Sequence, residues 1–232
     1  RIARAAEEIR AWGTPESNGR AGLDGAVAAC EEAASELSGL PGFRALLRDR
    51  GALAPAVARL GEAVHRFEAL LDQRASSLGT AQVETLNALL VRVKDAHFAL
   101  ERDRLGNLEA VRALTRGSSA EGHVRAAYDI NLALNALDRL EVRGRDSAGL
   151  HLFVRGDLRE ALEEMRDEVE RRSAIENFTH MAIRVAADST VSLVYKVAAE
   201  VGELGENVRA LRASIVGDAL LHRLLECPGA EA

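Results

Sequence analysis

Residues 137–154 read L-D-R-L-E-V-R-G-R-D-S-A-G-L-H-L-F-V, and the fold turns on a change of period inside them. Leu132, Leu134, Leu137 and Leu140 bring a helical apolar pattern into the stretch, whereas Leu150, Leu152 and Val154 alternate on leaving it. Between them stand Arg143, Gly144, Arg145, Asp146 and Ser147, a polar turn rich in hydrogen-bond donors. The spacing predicts a helix, a tight corner and a strand.

Working outward, a helix over 120–140 delivers the corner and a strand over 149–154 leaves it. Gly156 then turns the chain, and Asp157 is the expected cap of a charged helix ending near Arg172. Its glutamates and arginines, Arg171 and Arg172 among them, read as a solvated, paired face. Two β-branched, alternating runs, 178–186 and 190–198, predict a hairpin, and helices over 204–215 and 218–226 close the chain. Upstream the pattern is helical throughout: 2–12, 24–38, 42–50, then two long helices, 54–78 and 81–116. Gly79 and Thr80 separate the long pair, with Thr80 as the expected N-cap, so they should pack antiparallel; Gly106 marks a weak point in the second. The fold class is α+β, predominantly helical, with long antiparallel helices and a small antiparallel sheet.

Composition narrows function by exclusion. The 232 residues carry a net charge of −6 with acidic and basic side chains interspersed, so no concentrated basic face offers itself to nucleic acid. Hydrophobic residues make up 47%, enough for a sizeable core, yet no apolar run approaches the roughly eighteen residues of a membrane span. The expectation is a cytoplasmic protein. Apart from Lys94 and Lys196 every basic residue is arginine, a bias that suggests a GC-rich bacterial genome. Cys30 and Cys227 make neither a disulfide framework nor a metal knuckle.

Glu62 and His65 have the Glu-x-x-His spacing of a carboxylate-bridged metal site, but no second such pair accompanies them, so no metal is expected. His97, His123, His151, His180 and His222 show no mutual spacing that suggests a cluster. The run 202–207, G-E-L-G-E-N, lacks the Lys-Ser/Thr ending of a phosphate loop and reads as a strand-to-helix turn. No catalytic residue and no cofactor emerge from the residues themselves.

The string L-E-V-R-G-R-D-S-A-G-L, residues 140–150, resembles the L-E-Y-R-G-Y-D-S-A-G signature near the start of the glutaminase domain of glutamine:fructose-6-phosphate amidotransferases, the glucosamine-6-phosphate synthases. Glu141, Arg143, Gly144, Asp146, Ser147, Ala148 and Gly149 match; Val142 and Arg145 stand where that family usually has tyrosines. Residues 195–212, Y-K-V-A-A-E-V-G-E-L-G-E-N-V-R-A-L-R, resemble the strand-to-helix passage after the first hairpin of the same domain. The resemblance implies that 120–232 belong to a split N-terminal-nucleophile amidotransferase domain and that 1–119 are a helical insertion. It further implies that Arg143, Gly144, Asp146, Ser147 and Gly149 support the glutamine site from behind.

The family's nucleophile is an N-terminal cysteine and its glutamine-holding motif is His-Thr-Arg-Trp, whereas this chain begins with Arg1 and its one tryptophan, Trp12, lies in another context. The expectation is therefore an interior piece of a larger enzyme. Its partners would be the rest of that enzyme, glutamine and a phosphosugar, with neither nucleic acid nor membrane, and the insertion could mediate a homo-oligomer. The alternative is a non-catalytic helical scaffold or protein-interaction module built on the long hairpin.

Overall fold

Apolar residues, chiefly Ala and Leu, at spacings of three and four give the first half of the chain its helices, and burial selects one stripe of each. A computed structural model describes residues 1–14, 19–48, 51, 53–140, 147–187, 190–198 and 203–232. These divide into two units, Arg1–Glu109 and Ala110–Ala232.

The first unit is helical: α1 (Ile2–Ala11), α2 (Gly19–Glu36), α3 (Gly39–Arg48), α4 (Leu53–Arg74) and α5 (Thr80–Phe98). In α4 the stripe Val57, Leu60, Val64, Phe67 and Leu71 is buried, facing α1 and α5. Each such side chain contributes about 1.5–3 kcal/mol on leaving water. Trp12 meets the ring of Phe67 edge-on at 4.8 Å, which ties the end of α1 to α4. Gly61 lets His97 of α5 lie against α4, since a Cβ there would stand 2.8 Å from the imidazole Nε2.

Several boundaries differ from the sequence expectation. The α2 helix starts at Gly19, and α3 already at Gly39, carrying Pro41 in its first turn, where a missing N–H costs nothing. Thr80 is the first helical residue of α5 and no side chain caps that end; Gly79 occupies the cap position. The expected second long helix widens into π-helical turns over Ala99–Gly106 before continuing as α6 (Asn107–Thr115). From this widened stretch Arg104 donates to the carbonyl of Ala34 through Nε (3.1 Å) and Nη2 (3.0 Å), satisfying a carbonyl in the last turn of α2.

The second unit holds α7 (Glu121–Leu140), β1 (Ala148–Val154), α8 (Arg159–Glu164), α9 (Arg166–Ser173), β2 (Ile183–Val185), β3 (Val191–Val197), α10 (Glu206–Gly217) and α11 (Ala219–Leu225). The antiparallel sheet has the order β1-β3-β2. All seven residues of β1 pair with β3, from Ala148 opposite Val197 to Val154 opposite Val191. One face is buried through Leu152, Val154, Ile183, Val191, Leu193 and Tyr195; α10 packs on β1 and β3 with Val208, Leu211 and Ile215 buried.

Two expectations fail here. The single helix expected after Asp157 is two, interrupted at Met165, and no side chain caps the first. The strand expected over 178–186 shrinks to three residues because Phe178 (φ 62°) and Met181 (φ 67°) adopt left-handed backbone conformations that break extension.

Arg172, expected on a solvated face, is fully buried. Its Nη1 donates to both carboxylate oxygens of Asp218, at 3.0 and 2.8 Å, and its Nε donates to the Met181 carbonyl at 2.7 Å. The Tyr195 hydroxyl donates to Asp218 Oδ2 at 2.6 Å, and the amides of Leu220 and Leu221 donate to Oδ1. Asp218 thus caps α11 while joining α9 to β3. Burial, then the Asp218 charge, hold the Tyr195 phenol well above its ordinary pKa, so it stays a donor.

Removing one partner of a buried ion pair leaves the other uncompensated, so Asp218→Ala should cost about 3–5 kcal/mol. Tyr195→Phe, which removes one bond to a charged acceptor, should cost about 1.5–3 kcal/mol. Urea unfolding of the two variants checks both, and equal losses would show that the carboxylate does not centre the network.

Candidate functional site

The expected site residues fall at the junction of α7 and β1. Arg143, Gly144 and Asp146 lie outside the described residues. Ser147 is exposed just before β1, and Gly149 is exposed within it, opposite Lys196. A Cβ on Gly149 would stand 3.3 Å from the Tyr195 carbonyl, so the β1–β3 pairing is tight there.

Beside this junction the last turns of α7 face the start of α10 across a cavity of about 560 Å³. Gly205, at φ 83°, supplies the left-handed turn that starts α10, in keeping with the turn expected at 202–207. Arg139, Arg209 and Arg212 line the cavity with Asp138 and Asn135, setting three guanidinium groups against one carboxylate. Arg212 reaches Asn135 Oδ1 only at 3.5 Å, and its enclosed Nη1 has no hydrogen-bond partner. Burial lowers the Arg212 pKa from its ordinary value, and Asp138 opposes the shift. Such a wall can bind and orient an anionic or amide group; it holds no activated nucleophile.

Neither cysteine is activated. Cys30 is fully buried and its thiol is pushed up to about 11, chiefly by burial. Burial also raises Cys227, and Arg223 offsets it only in part. Glu62 and His65 are exposed on α4, and among the described residues no three His, Cys, Asp or Glu side chains are arranged to hold a metal.

The structure does bring two histidines together that sequence reasoning kept apart. His123 of α7 and His222 of α11, both buried, are joined by a 3.2 Å hydrogen bond between Nε2 and Nδ1. His222 Nε2 lies 3.1 Å from the Val216 carbonyl and must donate to it, so its Nδ1 accepts from His123. The His222 ring is then neutral. The Leu114 carbonyl lies close enough to favour a charged His123 without completing a hydrogen bond to its Nδ1. They border a cavity of about 870 Å³ with Arg116, Ser118, Arg223 and Glu226. Ninety-nine residues separate the pair, and no local pattern announces it.

No protein-family model, curated protein or solved structure matches the chain. Among the described residues no helix is long and apolar enough to cross a membrane.

Burial holds both histidines below their ordinary 6.5; His222 adds to the effect on His123, and Arg116 adds to that on His222, against Glu226, Asp218 and the carbonyls. With folded pKa values depressed, the unfolded chain binds more protons as pH falls. Stability is complete above 6.5 and declines as pH drops from there toward the lowered values. The urea midpoint should fall over that window, and His123→Gln should flatten the slope; an unchanged slope would show the pair does not govern it.

Proposed function

We propose that this chain is an interior segment of a glutamine-dependent amidotransferase resembling glutamine:fructose-6-phosphate transaminase, and that it shapes the glutaminase site without supplying the nucleophile. One observation carries the reading. The two stretches that resemble the family, 140–150 and 195–212, are separate in sequence yet lie on neighbouring strands: β1 pairs with β3 along seven residues, and each strand is joined to a long helix, α7 or α10.

On this reading Arg143, Gly144, Asp146, Ser147 and Gly149 back the glutamine pocket. A thiol elsewhere in the longer protein attacks the glutamine carboxamide and releases ammonia to a phosphosugar, with an oxyanion hole stabilising the tetrahedral intermediate. The residues of this corner position the groups that react.

A second reading rests on α5. Val91 (57% exposed) and Phe98 (56%) stand two turns apart on one side of it, apolar anchors within a polar face that a scaffold role would use.

Glutamine hydrolysis by the full-length protein decides between the two. Arg143→Ala should lower it by roughly 100-fold at unchanged Tm, as a small misplacement of catalytic groups does. The isolated 232-residue chain should hydrolyse none. A full-length protein without glutaminase activity would leave the scaffold reading standing.

A further inference from the structure

Beside β1 lies a groove of about 1060 Å³, bordered by Arg125 and Asp129 of α7, by His151 and Phe153 of β1, and by Arg155 and Glu231. We propose that it is a strand-docking site whose occupant is the segment joined to Ala232 in the longer protein, running antiparallel along β1 from Arg155 toward Gly149. This rests on the reading of the chain as an interior segment.

The backbone sets the site. Val194 exchanges its N–H and C=O with the segment leading into β2, accepting from Met181 and donating to Ala182, so its partner His151 makes no such exchange with β3. In an antiparallel ladder this alternates, so Gly149, His151 and Phe153 turn their N–H and C=O groups to the outer edge of β1. No described strand pairs there. An open edge of this kind is a template for another strand.

The pairing has already begun. Arg155, on the same row, exchanges both of its hydrogen bonds with Glu231 at 2.9 Å. Two glycines seat the approach: a Cβ on Gly122 would stand 2.6 Å from the Ala230 carbonyl oxygen, and one on Gly156 would stand 3.0 Å from the Ala230 Cα. Ala230 is buried between them. Antiparallel register then places the residues two, four and six positions beyond Glu231 opposite Phe153, His151 and Gly149. Their side chains join Phe153, 53% exposed, and His151, whose ring lies 4.4 Å from it; the intervening ones point to the buried face and should be apolar.

Amide hydrogen exchange on the 232-residue chain and on the full-length protein tests this. Amides of Gly149, His151 and Phe153 should exchange fast in the former and on the order of 100-fold slower in the latter. Those of Leu150, Leu152 and Val154, directed at β3, should be protected in both. Gly122→Ala in the full-length protein should release the edge amides alone. Edge amides equally fast in both proteins would overturn the proposal. So would edge protection that rises with concentration of the 232-residue chain, which would put a second copy there. Glutamine hydrolysis is read separately: a protected edge without glutaminase activity removes only the functional reading, and activity with an open edge removes only this one.

Discussion

One carboxylate holds the second unit together. Asp218 accepts from a guanidinium, a phenol and two helix-terminal amides, so α9, β3 and α11 share a single buried charge. A charge taken out of water is tolerated only when its lone pairs are filled, and here both oxygens are. The geometry of the sheet's buried face follows from that constraint. Tyr195 must point inward with Leu193 and Val191, which fixes the face of β3 and, through their pairing, the face of β1.

Fixing the faces also fixes what is left open. With Leu152 and Val154 turned to the core, His151 and Phe153 lie on the solvent side, and their backbone groups point to the edge of β1 at which no described strand pairs. The groove therefore borders the solvent side of β1, along His151, Phe153 and Arg155, and at Arg155 the strand pairs with Glu231.

Much of the fold was legible locally. The stripe of α4, the extent of α7 and the alternation of β1 all rest on side-chain period, a property of consecutive residues. The positive φ of Phe178 and Met181 was not legible, because bulky residues reach such conformations only when their surroundings impose them. Arg172 was misread for the same reason: beside Arg171, which pairs with Glu168 in solvent, it carries no local sign that it will be buried. Of the candidate site, the sequence shows Ser147 and Gly149 at the head of a strand; the arginine-lined cavity between α7 and α10 joins elements more than sixty residues apart in the chain.

Local period alone is enough to read the helical class, the run of α7 and the strand β1, since these depend on side-chain spacing within a few residues. Folding in three dimensions is what gathers Arg172 and Tyr195 on Asp218, joins His123 to His222 by a hydrogen bond, and returns Glu231 to Arg155. Each joins residues 23 to 99 positions apart. Such contacts form because the folded core excludes water from specific polar groups, which must then find one another, and no local pattern encodes which partner that will be.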